Sequence, residues 1–210
     1  MSFSPLTGDA LAAATAPLML PRRIESARLT LCMFREDHFE ALARMHGDAD
    51  TMRFMGGPRD NDTNWRGMAT MLGQWELLGY GAYAVEAHGQ FVGRCGLYHP
   101  LHWPERELGY CFLSEARGQG YATEAATAVR DAAIAAGARR LISLINPDNE
   151  PSLKVAARMG ATRTDQGDVG EGPMIRFVHD MRPLAGGDIT GAEGAKPTPK
   201  TRTKTPRKRT

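Results

Sequence analysis

One segment in the middle of the chain constrains its fold more than any other. Residues 106–113 alternate strictly between large apolar side chains and others, which predicts a strand. Gly118 and Gly120 then permit a tight turn, and an alanine-rich stripe over 122–136 predicts an amphipathic helix. A strand that leads into a helix through so short a turn is typical of mixed α and β structure.

The rest of the sequence supports the same class. Further helices are predicted over 37–46, with Asp37 as its N-cap, over 61–78, where residues 61–64 offer several caps, and over 149–159. Further strands are predicted over 28–33, 81–86, 91–98, 141–145 and 174–181. Hairpin signals between some of these strands argue against a purely doubly wound sheet. We therefore predict an α/β (α+β) fold with a mixed sheet of about seven strands and about four helices on both faces.

Charge is distributed unevenly along the 210 residues. The net charge is +2, but residues 184–210 contain seven Lys or Arg against two acids and almost no large apolar side chains. Such a segment cannot bury enough surface to offset its ordering entropy. We predict an N-terminal arm (1–22), one folded domain (23–183) and a basic, disordered tail (184–210).

Several classes of protein are excluded by composition. No run of 18 apolar residues exists, so we expect no membrane span. The apolar stretch 10–20 follows Asp9 and contains Pro17, so we interpret it as a loose arm rather than a signal peptide. Three cysteines without a CxxC pair predict a reducing, cytoplasmic location and no structural zinc site.

Histidines near the predicted Glu107 strand raise the question of a metal site. His99 and His102 lie in the loop before that strand, and Cys95 is nearby in sequence. No cysteine pair or group of carboxylates completes a ligand set, so no metal is predicted. A loop that faces substrate and a plain surface loop both remain open.

The glycine turn is a candidate anion site. Glycines at 118 and 120 expose backbone amides, the following helix adds N–H groups at the positive end of its dipole, and Arg117 adds a cation. A turn without a ligand explains the glycines equally well. A dinucleotide fingerprint is disfavoured because Thr123 stands where a third Gly or Ala is needed, and a triphosphate P-loop lacks its Lys-Ser/Thr pair.

A second polar pair follows the strand predicted at 141–145. Asn149 and Ser152 are three residues apart and open a short helix. By itself this spacing is best explained by helix capping. Its position, one helix and one strand after the glycine turn, gives it a further interpretation.

Together these motifs resemble the GNAT superfamily of N-acetyltransferases. The segment Arg117-Gly-Gln-Gly-Tyr-Ala122 is similar to the acetyl-CoA signature of that family, and Asn149-x-x-Ser152 followed by Met159-Gly160 is similar to its next block. Arg28-Leu-Thr-Leu31 and Glu107-Leu-Gly-Tyr110 resemble the RimJ/RimL subgroup, which includes N-terminal acetyltransferases of ribosomal proteins. The likeness extends from about 24 to 181 and implies a mostly antiparallel GNAT-type sheet.

The resemblance also implies a cofactor site. The strand that carries Glu107 would contain a bulge and diverge from the next strand, and the pantetheine arm of acetyl-CoA would lie in the gap. A backbone N–H near Gly109 would stabilise the oxyanion. The implied cofactor-binding residues are Phe112, Leu113, Arg117, Gly118, Gln119, Gly120, Tyr121, Ala122, Thr123, Asn149 and Ser152.

Acetyl transfer needs a neutral amine and a protonated leaving thiol. At pH 7, deprotonation costs about 1.4 kcal/mol for an α-amine and about 4.6 kcal/mol for a lysine. Glu107 is the candidate general base, and a surface ion pair is the alternative explanation for this residue. Many relatives place a tyrosine acid four residues after the serine, but Ala156 stands there, which leaves Ser152 as a weaker candidate acid.

We therefore expect an acetyl-CoA-dependent N-acetyltransferase that acts by direct attack in a ternary complex. The acceptor is a primary amine, with a peptide or protein N-terminus favoured over a small molecule. The alternative is a non-catalytic acyl-CoA-binding protein, or one associated with nucleic acid or ribosomes through the basic tail. No membrane partner is expected, and the sequence leaves a homodimer open.

Overall fold

The computed structural model describes residues 3, 5–100, 103, 105–170 and 172–182. Its α-helices are α1 (Gly8–Thr15), α2 (Phe39–Gly47), α3 (Ala49–Met52), α4 (Asn61–Leu78), α5 (Tyr121–Ala135) and α6 (Glu150–Arg158). Its strands are β1 (Arg23–Glu25), β2 (Leu29–Cys32), β3 (Ala82–Ala87), β4 (Gln90–Tyr98), β5 (Glu107–Phe112), β6 (Ile142–Ile145), β7 (Thr162–Asp168) and β8 (Pro173–Val178).

All eight strands form one sheet in the order β1-β2-β3-β4-β5-β6-β8-β7. Every neighbouring pair is antiparallel except β5 and β6, which are parallel. Helix α5 packs on β1, β2, β4 and β5, while α2 contacts β4 and α4 contacts β3. The mixed, mostly antiparallel α/β class predicted from the sequence is confirmed.

The described residues contain one strand and two helices more than the counts expected from the sequence. Strands β1 and β7 lie at the two edges of the sheet, and β7 is mostly exposed, with the polar sequence TRTDQGD. An edge strand of this composition has no apolar alternation, so only its backbone pairing with β8 reveals it. The extra helices, α1 and α3, have eight and four residues.

Two details of the predicted helices are wrong. Asp37 does not cap α2, because it lies inside a 3₁₀ turn (Glu36–His38) that precedes the helix. The cap of α4 is Asp60, whose carboxylate accepts from the amide of Thr63 at 2.7 Å. In the described structure no side-chain hydrogen bond caps α2, and the cap of α4 lies one residue before the predicted candidates, a shift that sequence patterns rarely resolve.

The N-terminal arm is not loose where the structure describes it. Helix α1 forms within it, and Ala14, Leu18 and Leu20 are buried, with Leu18 and Leu20 in the main core. The predicted tail, 184–210, lies outside the described residues, as does His102. Of the helices in the described part of the chain, none is both long and apolar enough to cross a membrane.

Strands β5 and β6 separate after a single point of pairing, where Glu107 lies beside Ile142. In a continuous parallel ladder the amide of Leu144 would next donate to the carbonyl of Leu108. Instead the Leu144 amide donates to Glu107 Oε1 at 3.2 Å, and the Leu108 carbonyl accepts from Ser143 Oγ at 2.7 Å. Two side chains therefore end the ladder and leave a gap between the strands.

The bulge expected in β5 is not present over Glu107–Phe112. The register of these residues against β4 is continuous, and Gly109 lies directly opposite Gly96. The register shifts in the sheet fall between Val85 and Glu86 and between Arg163 and Asp165. The gap thus comes from the interrupted pairing with β6.

A buried ion-pair network fixes the start of β5 beside β6 and β8. Glu105 is 1% exposed and accepts from Arg176 Nη1 at 2.9 Å and from Arg140 Nη2 at 3.2 Å. Arg176 also donates to Asp165 on β7 at 2.6 Å. The carboxylate therefore links the strand that borders the gap to the far half of the sheet.

We expect Glu105→Gln to lower the free energy of unfolding by about 3 kcal/mol, because it removes the buried charge that Arg140 and Arg176 share and leaves Asp165 to offset the charge of Arg176. Glu76→Gln, which removes an exposed ion pair with Arg22, is the control and should cost less than about 1 kcal/mol. Urea denaturation of both variants measures the difference. Equal losses would show that the buried network does not anchor β5.

Candidate active site

The N-terminus of α5 presents a row of backbone donors. Gly118 and Gly120 have φ values of +77° and +82°, a left-handed conformation that favours glycine. Among the described residues, no N–H group from Gly118 to Thr123 donates to a protein acceptor, and the first helical bond runs from Glu124 N to the Gly120 carbonyl. Such a set of N–H groups at a helix start binds phosphate groups.

The shape of this loop is held by Glu124 and Arg28. Glu124 accepts from the Ser26 hydroxyl at 2.8 Å and from Arg28 Nε at 2.7 Å, and Arg28 Nη1 donates to the Gln119 carbonyl at 2.9 Å. Burial opposes ionisation of Glu124, but the hydrogen bonds from Ser26 and Arg28 outweigh it and lower its pKa. The carboxylate in the first turn of α5 is thus occupied by the protein.

The charged side chain of Arg117 is paired with groups outside this loop. Its guanidinium donates to Asp50 at 3.0 Å and to the Thr51 hydroxyl at 2.5 Å, both on α3. Gln119 also bonds locally, to the carbonyl of Glu115 at 3.3 Å. In this structure Arg117 connects the glycine loop to α3, and the donors that face outward are the amides of 118–123.

The edge of β5 beside the gap is partly open. The Leu113 amide donates to the Val92 carbonyl at 3.0 Å, so Leu113 faces β4, and its own carbonyl accepts from Ala116 N. Alternation along an antiparallel ladder then turns the backbone groups of Tyr110 and Phe112 toward β6. Of the predicted backbone contacts, Phe112 lies on the open edge and Leu113 is already engaged.

A cavity of about 390 Å³ opens where β5 and β6 separate. Strand β5 contributes Glu107 and Gly109, β6 contributes Ser143, and the start of α6 contributes Asn149 and Ser152. A Cβ atom placed on Gly109 would meet only the Glu107 carboxyl carbon, at 4.0 Å, so the strand leaves space there. Its other wall contains His46 of α2, Phe54, Met55, Arg59 and the α4 residues Thr63, Gly67, Thr70 and Met71.

Glu107 lines this cavity with both carboxylate oxygens engaged. Oε1 accepts from the Leu144 amide at 3.2 Å, and Oε2 accepts from the Trp103 indole at 2.9 Å. These contacts fix the orientation of the carboxylate at the mouth of the strand gap. Glu107 therefore has a structural role in ending the ladder, and it also lines the cavity.

Asn149 and Ser152 lie together at the start of α6. Asn149 Oδ1 accepts from the Ser152 amide at 3.3 Å, which confirms the capping interpretation of this pair. The Ser152 carbonyl accepts from the Tyr110 hydroxyl at 3.2 Å, and burial raises the pKa of Tyr110. Ala156 is buried and contributes no polar group, so Tyr110 is the nearby tyrosine that the structure offers.

Sequence analysis did not select Tyr110, Ser143 or His179 as site residues. Ser143 is the only polar residue among the four of β6, and its hydroxyl, which donates to Leu108, lies 2.9 Å from His179 Nε2. A single hydroxyl in an apolar strand is a signal that could have marked the position. Tyr110 was assigned by its alternation to an apolar face, and only the approach of α6 gives its hydroxyl a partner.

Comparison with known proteins agrees with this geometry. The acetyltransferase (GNAT) domain matches residues 28–162, which is more than half of the chain, so the protein belongs to the GNAT acetyltransferase family. An uncharacterised protein of Bacillus subtilis (strain 168), YkkB, is 29% identical over 141 residues, covering 61% of this chain and 78% of YkkB.

Solved structures share the fold. An acetyltransferase from Agrobacterium tumefaciens str. C58 is 28% identical with a TM-score of 0.69, covering 79% of this chain and 98% of its own. RimL, a ribosomal L7/L12 alpha-N-protein acetyltransferase, aligns at 17% identity and TM-score 0.64, covering 77% and 98%. Mycobacterium smegmatis RimJ, solved with CoA-disulfide, aligns at 19% and 0.57, covering 78% and 85%. At these identities, RimL and RimJ show the fold alone.

We expect Gly118→Ala to weaken acetyl-CoA binding about tenfold or more, because a left-handed φ costs an alanine about 1–2 kcal/mol and relaxation of the loop would turn the amides away. Gly137→Ala is the matched control: Gly137 also has a positive φ, +92°, and open space, but it lies beyond the other end of α5. Calorimetric titration with acetyl-CoA, together with denaturation, measures both effects. Equal binding by the two variants would remove the glycine loop from the cofactor site.

Proposed function

We propose that this protein is an acetyl-CoA-dependent N-acetyltransferase that acts on a primary amine. The observation that carries the proposal is the row of backbone N–H groups at 118–123, which have no acceptor among the described residues. They lie at the start of α5, the helix that follows the open edge of β5. Coenzyme A has a diphosphate, which suits the helix start, and an extended arm with amide groups, which suits the open strand edge. The GNAT family uses this cosubstrate.

The residues present fit coenzyme A in three places. The amides of 118–123 would bind the diphosphate, the backbone of Tyr110 and Phe112 would pair with the pantetheine amides, and Asn149 and Ser152 would border the arm from α6. When bound, acetyl-CoA supplies an activated acetyl thioester. We assign no part in diphosphate binding to the side chain of Arg117, whose guanidinium is engaged by Asp50 and Thr51.

Glu107 is the proposed base. Its carboxylate is fixed at the mouth of the gap, lines the cavity and can take a proton from an incoming ammonium group, directly or through water. The backbone N–H of Tyr110 faces the gap and can donate to the oxygen that gains negative charge during attack. Direct attack inside a ternary complex needs no nucleophilic side chain, and the buried Cys111 thiol, whose pKa burial raises, supplies none.

Two hydroxyl groups near the start of α6 can protonate the departing thiolate. Tyr110 reaches the Ser152 carbonyl, and Ser152 itself lines the cavity. A thiol with a pKa near 8.5 leaves readily as the anion, so the general acid contributes less here than the base. This accounts for a working site with Ala156 in place of a tyrosine.

A peptide or protein N-terminus is the favoured acceptor. An α-amine costs about 3 kcal/mol less to deprotonate at pH 7 than a lysine amine, which suits a single carboxylate base. The likeness of the fold to RimL and RimJ is consistent with an α-amine acceptor and with the RimJ/RimL-like subgroup. A small-molecule amine remains the second acceptor class, and the cytoplasm, where acetyl-CoA and nascent N-termini occur together, is the proposed location.

Release of free CoA thiol distinguishes this function from non-catalytic acyl-CoA binding. The full chain, incubated with acetyl-CoA and a panel of peptides, amino acids and polyamines, should release thiol only when an acceptor amine is supplied. Acetyl-CoA at 100 times its dissociation constant should also stabilise the fold by about 2.7 kcal/mol. Stabilisation without amine-dependent thiol release across the panel would favour the binding protein.

We expect Glu107→Gln to lower kcat by about 10²-fold or more and to abolish the rise of rate with pH that ionisation of the carboxyl group produces. The amide oxygen of glutamine can still accept from Leu144, but its NH2 group would then face the Trp103 N–H. Denaturation of the variant measures this structural cost, and acetyl-CoA affinity should change much less than kcat. Stopped assays over a pH series and calorimetric titration separate the two effects. An unaltered pH–rate profile would restrict Glu107 to its structural role.

A further inference from the structure

Two arginine side chains that line the cavity contact the same residue, Met55. Arg59 Nη2 donates to the Met55 carbonyl at 3.4 Å, and Arg94 Nη2 lies 3.7 Å from the Met55 sulphur. Both residues are half-buried and both line the cavity. Both guanidinium groups therefore contact neutral atoms of the same residue, Met55, one at its backbone carbonyl and the other at its side-chain sulphur.

A neutral histidine orients one of these arginines. His46 is buried, and its Nε2 accepts from Arg94 Nε at 3.2 Å while Nδ1 lies 3.0 Å from Asn64 Oδ1. Burial, followed by the nearby Arg94 charge, lowers the pKa of His46 to about 3. The ring is thus uncharged at neutral pH and acts as an acceptor for the guanidinium.

The backbone around Arg59 is fixed by the same pair. The Arg59 amide donates to the His46 carbonyl at 2.9 Å, and Asn64 Nδ2 donates to the Arg59 carbonyl at 3.2 Å. Helices α2 and α4 therefore place both arginines through His46 and Asn64. This is a built arrangement rather than two mobile surface chains.

Neither arginine forms a salt bridge with any described residue, whereas the exposed Arg66 on α4 pairs with Asp62. Among the described residues that line the cavity, Glu107 is the only acidic one. An anion that contacts both guanidinium groups would be stabilised by both charges. The N–H groups of Arg59 and Arg94 that do not bond to Met55 or His46 are free to bind one.

We propose that Arg59 and Arg94 bind an acidic side chain near the N-terminus of a peptide acceptor. This inference rests on the proposed function, since it places the reacting amine at Glu107. Glu107 lies opposite Tyr98, and Tyr98 is four residues from Arg94 along β4. At about 3.3 Å per residue, the backbone of Arg94 is roughly 13 Å from that of the Glu107–Tyr98 pair.

That spacing selects the position of the acidic group. The carboxylate of a free amino acid lies too close to its own amine to span this distance. An aspartate or glutamate at the second or third residue of an extended peptide reaches across Gly109 to the arginines. The acceptor class is therefore a peptide N-terminus with an acidic residue at position two or three.

The test compares kcat/KM for matched peptides that carry Glu or Gln at position two, and likewise at position three, with the full chain and thiol detection. At one of these positions the Glu peptide should be favoured by about tenfold or more, as expected for loss of one charged hydrogen bond. Arg59→Gln and Arg94→Gln should each remove most of this preference and leave the Gln peptides within about threefold. Arg66→Gln is the control and should retain the full preference.

Arg94 contacts His46, so Arg94→Gln is also checked by thermal unfolding and by acetyl-CoA binding. Arg59→Glu provides an independent readout, because it should favour a Lys peptide over the Glu peptide. Equal kcat/KM for Glu and Gln peptides at both positions, or a preference that persists in both Arg→Gln variants, would overturn the inference.

If no peptide is turned over, the peptide acceptor fails by that result, while thiol release with amino acids and polyamines still tests the proposed function. Calorimetric titration of the same peptides then decides the inference. Tighter binding of the Glu peptides by the full chain, lost in Arg59→Gln, would support the acidic-peptide site without catalysis. Equal or undetectable binding of both peptides would overturn it.

Discussion

The interrupted ladder between β5 and β6 is the constraint on which the site depends. A parallel pair buried in a sheet would normally continue its hydrogen bonds, since unpaired backbone groups are costly away from water. Here the Glu107 carboxylate and the Ser143 hydroxyl satisfy the Leu144 amide and the Leu108 carbonyl. The strands can therefore diverge at little cost, and the opening exposes the edge of β5.

The glycine loop and this opening act together. The chain leaves β5, turns through Gly118 and Gly120 and enters α5, so the helix N-terminus and the strand edge lie on consecutive parts of the chain. Arg28, which precedes β2, and Glu124 of α5 fix the loop, and Arg117 connects it to α3. Side chains of the protein therefore hold the loop in shape, while the amides of 118–123 have no acceptor among the described residues.

How well the sequence predicted the structure depended on how local each feature was. Helix α5 and its two glycines follow from residues adjacent in sequence, and they were predicted. Strand β7, the engagement of Leu113 and the pairing of Arg117 with Asp50 depend on partners distant in sequence. The bulge assigned to β5 failed for the same reason, because the neighbour strand decides whether a ladder is continuous.

The amino-acid sequence by itself determined the α/β class, the turn with its two left-handed glycines and the donor-rich start of α5, since each arises from backbone preferences within a few residues. Only the tertiary structure decided where β5 and β6 part and which side chains face the cavity. His46, Arg59 and Arg94 belong to three separate segments, and packing of α2 and the segment before α4 against β4 brings them together. No local sequence pattern predicts that these three residues lie together, because contacts between separate elements stabilise the arrangement.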